Sequence, residues 1–411
     1  MERLLTEIKG RSKSIVRIEG FMVLLLVNIM LGLSYSFVVP FNSIFGIDEV
    51  GMSNTAFGVF MAISAVVGVV IVTYIGKLSD QLPNQKMILL VCAVAGTIGY
   101  AGFAFVRNYY VLLVISSFIL GIASSSFYQI SAYAREMVTK SDLPAKEVPF
   151  YMNTFRVFFS LSWTVGPAIG SVLLLKLGFR GLFLGAAICY LLIVLIVLVF
   201  FKKNGRVGEA VSPKAVLPLK QIVLRPYIFI NLIVFTLIFA AQTIATINMS
   251  QFVTKTLGSG EEQVGIIFSI PTLFEIPLML GFGVLAVSMG SKQLITIGAL
   301  LSFLYFSALY FVTEPWHIYP IQIISAACIA ITQGNAISYF QDFIPTMPGT
   351  GTALYMITSR VGSTVGFLLF GVLSDAFGYR DVFLCCSLFT GVSLLLLVLF
   401  NREKRALESA G

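Results

Sequence analysis

Three charged side chains stand inside long apolar stretches of this sequence, where an isolated charge is costly. Glu275 lies about twelve residues from either end of its apolar run and is flanked by Pro271 and Pro277. Arg156 lies about seven residues into another run, and Arg360 about nine residues into a third. Charges at such positions usually face a cavity or a partner, and a carboxyl group there can exchange a proton near neutral pH. Glu275 is therefore the predicted proton carrier.

The two arginines have two possible roles. One or both could modulate proton exchange at Glu275 or bind hydroxyl groups of a substrate. At a rise of 1.5 Å per residue, Arg156 would lie roughly 11 Å and Glu275 roughly 18 Å from the same membrane face. Their side chains could therefore meet if their helices adjoin. The alternative is a static buried ion pair that holds two parts of the protein together.

A second set of residues consists of amides, hydroxyls and one carboxylate at helical spacing within four of the apolar runs. Such groups donate and accept hydrogen bonds, and together with aromatic rings they suit a neutral polyol such as a sugar. The same residue types also form hydrogen bonds between membrane helices, and that alternative stays open for each of them. The candidate substrate-binding residues are Asn28, Tyr35, Asn42, Tyr128, Gln129, Gln242, Thr246, Asn335, Tyr339 and Asp342.

The elements that must position these groups are transmembrane helices. Of the 411 residues, 58% are hydrophobic and 11% charged, with a mean hydropathy of +0.95. A soluble domain carries about a quarter charged residues, so the surface of this chain must face lipid. About 20 apolar residues span a bilayer as a helix. Twelve spans are predicted at 19–45, 53–75, 87–106, 109–134, 148–175, 181–201, 226–254, 263–287, 292–313, 316–344, 351–375 and 379–400.

Lysine and arginine residues predict the orientation of these spans, because positive charge resists translocation. With the N-terminus inside, the cytoplasmic segments hold 20 Lys and Arg residues and the outer segments hold 5. Both termini are therefore predicted to be cytoplasmic. The same distribution accounts for the net charge of +8 without a nucleic-acid partner.

The residue types also exclude most enzyme classes. His317 is the single histidine, the five cysteines show no CxxC spacing, and no GxxxxGK[ST] loop occurs. A zinc site, a histidine-based triad and ATP hydrolysis are therefore not expected. The sequence also shows no obvious aspartate pair or Ser-His dyad of the kind that an intramembrane protease needs. We expect no cofactor, no metal and no enzymatic activity.

A polar, basic stretch divides the chain into two halves of six spans. It predicts an N-terminal bundle at 1–201, a central cytoplasmic loop at 202–225 and a C-terminal bundle at 226–411. The halves also share an internal match at an offset of 200, since "TVG" recurs at 164–166 and 364–366 and "GFRGLFL" at 178–184 corresponds to "GYRDVFL" at 378–384. Parallel repeats of this kind are typical of one class of secondary transporter.

Several motifs resemble those of the major facilitator superfamily, and within it the bacterial sugar efflux transporters. They are "GKLSD" at 76–80, "ARE" at 134–136, "LSWTVGP" at 161–167, "FEIPLML" at 274–280 and "PGTGTALYMITSRVG" at 348–362. The basic continuation of the first motif is replaced here by "QLPNQK". The resemblance implies an all-α integral membrane protein in which twelve transmembrane helices form two pseudo-symmetric six-helix bundles.

The resemblance also implies how the protein would work. Spans 1, 4, 7 and 10 would line a central cavity, spans 5 and 8 would adjoin, and Asp80 would act in the gate between conformations. Arg135 and Glu136 are further gating candidates, although a solvated helix end explains them equally well. Sugars or glycosides would leave the cell in exchange for protons.

The predicted protein is therefore a monomeric exporter of the cell membrane that binds a small molecule, protons and lipid. The nearest rival is a multidrug/proton antiporter, in which the 36 phenylalanines and Glu275 would serve a lipophilic cation. A receptor or scaffold that transports nothing is a more distant alternative, because its membrane interior would not need two arginines and a glutamate.

Overall fold

The apolar runs form helices, as lipid requires, because a helix satisfies its own backbone hydrogen bonds. The computed structural model describes residues 18, 20–81, 85–141, 147–201, 223–344 and 347–408, and within these ranges the chain contains no β-strand. Among the described residues, ten helices are long and apolar enough to cross a membrane. Most of the predicted central loop and both chain ends lie outside the described residues.

Eight of these helices correspond to one predicted span each. Each of the two remaining, longer helices is counted as two helices, and these four parts take the numbers α5, α6, α11 and α12. The eight are α1 (Phe21–Glu49), α2 (Asn54–Gln81), α3 (Gln85–Phe105), α4 (Tyr109–Thr139), α7 (Pro226–Thr256), α8 (Glu261–Met289), α9 (Ser291–Tyr310) and α10 (Pro315–Gln341).

The two long helices are each broken near the middle by a glycine. Val148–Phe200 is interrupted at Gly178 (φ 64°, ψ −170°), and Pro348–Glu408 at Gly378 (φ 76°, ψ 165°). Glycine tolerates these positive φ values because it has no Cβ atom. The breaks separate α5 (148–177) from α6 (179–200) and α11 (348–377) from α12 (379–408), at the places where the sequence predicted two pairs of spans.

The described residues fall into two compact units. One is drawn from Met1–Val39 and Val66–Gly208, and the other from Pro40–Ala65 and Glu209–Gly411. The second unit thus includes Pro40–Ala65, which we call the 40–65 segment and which precedes the middle of the sequence. This segment comprises the end of α1, the following turn and the first part of α2.

In the first unit, α1 packs closely against α5 through small residues. A Cβ atom on Gly32 would lie 2.7 Å from Ser162 Cβ, and one on Gly166 would overlap the Ser36 side chain. The Ser36 hydroxyl donates to the Ser162 carbonyl at 3.2 Å, and the Ser162 hydroxyl to the Ile29 carbonyl at 3.2 Å. Small residues allow membrane helices to approach closely and bond across the interface.

The second unit repeats this arrangement between α7 and α11. A Cβ atom on Gly366 would lie 2.8 Å from the Ala240 carbonyl oxygen, and Thr243 Oγ1 donates to Ser363 Oγ at 3.2 Å. Gly166 and Gly366 end the two copies of "TVG". The repeated motif therefore marks equivalent helix contacts in the two units.

Candidate functional site

In the first unit, Asn28 serves a contact between helices. Its side chain is fully buried, and Nδ2 donates to the Phe155 carbonyl oxygen at 2.6 Å, from α1 to α5. Gln129 on α4 is also buried, and its Oε1 accepts a hydrogen bond from Ser79 Oγ on α2 at 2.7 Å. Both amides thus have interhelical partners in this conformation.

The two tyrosines predicted for this unit differ in their surroundings. Tyr35 on α1 is half-buried. Tyr128 is 43% exposed, and its ring packs edge-on against Phe127 with centroids 5.7 Å apart. Part of the Tyr128 side chain therefore lies outside the packed interior of its unit.

In the second unit, α7 carries a half-buried and an exposed candidate on neighbouring turns. Gln242 Nε2 donates to the buried hydroxyl of Thr332 on α10 at 3.2 Å. Thr246 is exposed, and its hydroxyl donates to the carbonyl of Gln242 at 2.8 Å. The Thr246 hydroxyl oxygen can still accept a hydrogen bond from a ligand, because a hydroxyl has two acceptor lone pairs.

The three candidates of the tenth span lie at and after an interruption of α10. The regular helix ends at Gly334 and resumes at Ala336, so that Asn335 lies at the interruption. Asn335 is buried, as is Tyr339, whose hydroxyl donates to Asn231 Oδ1 at 2.7 Å. Asp342 follows the helix in a turn and is exposed. The backbone of Asn335 is nevertheless bonded on both sides, since its N–H donates to the Ile331 carbonyl at 3.0 Å and its carbonyl accepts from the Tyr339 N–H at 3.0 Å.

Glu275 is half-buried in the middle of α8, between two prolines. Within the described part of the chain, no ion pair involves it. Arg156 is exposed on α5 in the first unit, whereas Arg360 is exposed on α11 in the second unit, the unit that also contains Glu275. A half-buried carboxyl without an ion-pair partner can bind and release a proton.

The gating candidates are only partly described. Asp80 lies near the end of α2, but its side chain is outside the described residues. Arg135 is exposed near the end of α4. Glu136 forms an ion pair with Lys140 on the same helix, with a 2.6 Å separation. This pair is local and exposed, which fits a solvated helix end as well as a gate.

The last candidate, Asn42, introduces contacts that the sequence did not predict. It is half-buried in the 40–65 segment, next to Ser43, whose hydroxyl donates to the Ile247 carbonyl on α7 at 3.0 Å. In the other direction, the Ser250 hydroxyl donates to the Pro40 carbonyl. Two serines thus bind the end of α1 to α7 reciprocally.

Two acidic residues extend these contacts. Asp48 lies 2.9 Å from Lys255 Nζ and also accepts a bond from the Gln251 amide at 3.3 Å. Asp375, on α11, accepts hydrogen bonds from Asn54 and Thr55 at the start of α2. A weak signal was present in the sequence, because "SIFGIDEVG" at 43–51 and "SQFVTKTLG" at 250–258 share Ser, Phe and Gly at equal spacing.

Comparison with known proteins gives a consistent result. The sequence profile of the Major Facilitator Superfamily matches residues 24–367. A Deinococcus radiodurans protein whose name assigns it to sugar efflux is 33% identical over 87% of this chain and 92% of its own length. Sugar efflux transporter C of Escherichia coli is 27% identical over 91% of this chain and 94% of its own length.

More distant proteins share the fold. The multi-drug resistance efflux pump PmrA of Streptococcus pneumoniae is 24% identical over 90% of this chain and 92% of its own length. The crystal structure of the nucleoside transporter NupG superposes with a TM-score of 0.77 at 16% identity, covering 93% of this chain and 98% of that one.

Proposed function

We propose, because the chain belongs to the major facilitator superfamily, that it exports sugars or glycosides across the plasma membrane in exchange for protons. Membership makes it a multi-pass membrane transporter and not an enzyme. In this superfamily fold, two halves rock around a site near the membrane midplane and expose it alternately to the two sides. The names of the relatives, with sugar efflux at the higher identities, carry the choice of substrate class.

The accessible polar groups support a neutral, hydroxylated substrate. Tyr128 and Thr246 are exposed, and the side chain of the half-buried Gln242 donates to the uncharged hydroxyl of Thr332. Amides and hydroxyls that can donate and accept hydrogen bonds are suited to sugar hydroxyl groups, while tyrosine rings can stack on the apolar face of a pyranose. We assign these residues to substrate binding, together with the other amide and hydroxyl candidates except the buried Asn28 and Gln129, which we assign to contacts between helices.

Proton coupling is assigned to Glu275. The carboxyl group is half-buried in a helix whose two internal prolines leave backbone carbonyls without their usual donors. Those carbonyls can hold water beside the carboxyl group and give protons a path to it. Arg156 and Arg360 are the groups that would adjust its proton affinity during the cycle. Both termini lie in the cytoplasm in this proposal, and the working unit is a monomer.

A multidrug/proton antiporter is the second candidate function. It is favoured by the relatives named for multidrug efflux and by the aromatic content, since phenylalanine rings and the carboxylate of Glu275 would both attract a lipophilic cation. These relatives are less similar to this chain than those named for sugar efflux.

The decisive experiment uses the full chain in proteoliposomes with an imposed pH gradient. Labelled mono- and disaccharides and cationic dyes are assayed in parallel, with and without a protonophore. We expect sugar movement that depends on the gradient and stops with the protonophore. Dye movement without sugar movement would overturn the sugar assignment, and sugar movement that is indifferent to the protonophore would overturn the coupling.

A further inference from the structure

The 40–65 segment is held on the second unit by contacts that join distant parts of the sequence. Its chain continues without interruption into the first unit, because α2 runs from Asn54 to Gln81 while the first unit begins again at Val66. Any motion that separates the two halves of the sequence on this face must therefore break these contacts. Their chemistry determines how easily that happens.

The central contact is a helix start that receives its capping carboxylate from another helix. Asp375 on α11 accepts hydrogen bonds from the Asn54 amide at 2.8 Å and from the Thr55 backbone N–H at 3.1 Å. The Thr55 hydroxyl also donates to this carboxylate at 2.5 Å. The Tyr379 hydroxyl donates to Asn54 Oδ1 at 2.9 Å and completes the cluster.

This carboxylate stabilises the first turn of α2 in two ways. The first N–H groups of a helix have no partner within it, and the positive end of the helix dipole favours a negative charge. The Ala56 N–H is satisfied from within the segment by the Ser53 hydroxyl at 3.1 Å. Asp375, which lies on α11, satisfies the preceding N–H group, that of Thr55. The start of α2 is thus capped partly by the neighbouring residue Ser53 and partly by Asp375 from the second half of the sequence.

Glycines at the contact between α2 and α11 allow the two helices to approach closely enough for Asp375 to bond to the start of α2. A Cβ atom on Gly58 would lie 2.5 Å from the Phe367 carbonyl oxygen, and one on Gly371 would lie 2.6 Å from the Thr55 Cα atom. Both are backbone atoms, which cannot move aside as a flexible side chain can. On the same helix, Gly68 has no atom within 4 Å of its hypothetical Cβ.

From these contacts we propose that Asp375 is the key residue of a latch that closes one face of the transporter. The latch consists of the Asp375 cap on α2, the reciprocal serine bonds of Ser43 and Ser250, and the Asp48–Lys255 ion pair. The charge distribution of the loops predicts that this face is extracytoplasmic. The latch is closed in this structure and opens when substrate is released outside.

The latch is suited to reversible opening because its strongest bonds are made to partly exposed groups. Asp375 and Lys255 are exposed, and Asp48 retains 28% of its side-chain exposure. Water can replace the protein partners when the contact opens, so neither carboxylate is left buried without a partner. Loss of a carboxylate at a helix start typically shifts such an equilibrium about fivefold to tenfold, and loss of an exposed ion pair shifts it less. Contacts of this strength bias an equilibrium without locking it.

The test measures accessibility and needs no substrate, so its outcome is independent of the proposed sugar export. Ile44→Cys provides the reporter, because the residue lies in the 40–65 segment, is 4% exposed and makes none of the bonds of the latch. The rate at which a membrane-impermeant maleimide labels this cysteine from the outside reports latch opening. The reporter protein without further change supplies the reference rate, and the protein without the reporter supplies the background labelling of the five natural cysteines.

Asp375→Ala is expected to raise the labelling rate about fivefold to tenfold, in line with the loss of a helix cap. Asp381→Ala, an acidic residue on α12 outside the latch, should leave the rate unchanged. Asp48→Lys and Lys255→Asp should each raise it about threefold, and combining the two should restore the reference rate, since the swapped charges attract again.

Restoration by the swap separates a latch from general destabilisation, which two substitutions would only worsen. A rate in Asp375→Ala that equals the reference would overturn the proposal. Gly58→Ala supplies a second measurement should the aspartate variant fail to insert in the membrane. It is expected to accelerate labelling while Gly68→Ala does not, and equal rates in these two variants would also overturn the proposal.

Discussion

Ser43 and Ser250 make the same hydrogen bond in opposite directions. Ser43 donates to the carbonyl of Ile247, and Ser250 donates to that of Pro40. The two serines are 207 positions apart, as are the two carbonyls. The end of α1 and the end of α7 therefore meet as equivalent halves of an internal repeat, each supplying one donor and one acceptor. A self-complementary contact of this kind resembles the isologous interface of a two-fold dimer.

This reciprocity predicts equal effects of the two serines on the stability of the closed conformation. Ser43→Ala and Ser250→Ala each remove one neutral hydrogen bond, which contributes about 1 kcal/mol. We expect similar decreases in the melting temperature of the detergent-solubilised protein. Ser269→Ala is the matched control, because its hydroxyl bonds to Gly265 within its own helix and its loss should matter less. A much larger effect of one serine than of the other would contradict the reciprocal contact.

Replacing Glu275 by Gln tests the proton carrier directly. The amide keeps the size of the side chain but cannot take up a proton at physiological pH. Gradient-driven efflux should fall to the rate without a gradient, while counterflow exchange of labelled for unlabelled substrate continues, because exchange needs no net proton movement. Glu262→Gln, at the exposed start of the same helix, should transport as the unchanged protein does. Driven efflux at the full rate in Glu275→Gln would exclude this carboxyl as the carrier.

The burial of the candidate binding residues predicts two different kinds of defect. Tyr128→Ala removes an exposed ring and should weaken the apparent substrate affinity about tenfold, a loss of about 1.4 kcal/mol, with an unchanged melting temperature. Asn28→Leu removes a buried bond to Phe155 and should cost about 1 kcal/mol of stability with little change in affinity. For both variants, substrate titration of transport measures the apparent affinity, and thermal unfolding measures the stability.

Asn153→Leu, at an exposed position on α5, provides the control for the amide substitution and should change neither quantity. If Asn28→Leu weakens affinity without lowering the melting temperature, then Asn28 contacts substrate in another conformation of the transport cycle.

The sequence determined the helices and the family. Apolar runs of sufficient length must become helices in lipid, and a spanning helix needs no distant partner to satisfy its backbone. The breaks at Gly178 and Gly378, which fall between predicted spans, also have a local cause, because only glycine readily adopts their backbone angles. The match of residues 24–367 to the superfamily then confirmed the fold class that the motifs indicated.

The orientation of each polar residue was decided by tertiary structure. Asn28 and Tyr128 are both polar residues in apolar helices, yet the first is fully buried and the second is 43% exposed. A membrane helix is apolar on its lipid face and on much of its protein face, so its periodicity is weak and does not identify the buried side. Neighbouring helices decide which residue can bind a substrate.

The latch depended on tertiary structure most of all. Asp375 and Thr55 are separated by 320 positions, and no local pattern links an acidic residue at the end of one helix to the start of another so far away. The repeat offered a weak indication through the shared Ser, Phe and Gly at 43–51 and 250–258. Only the folded chain brings a carboxylate from α11 to the unsatisfied N–H groups of α2, because capping requires hydrogen-bond distances that sequence spacing does not encode.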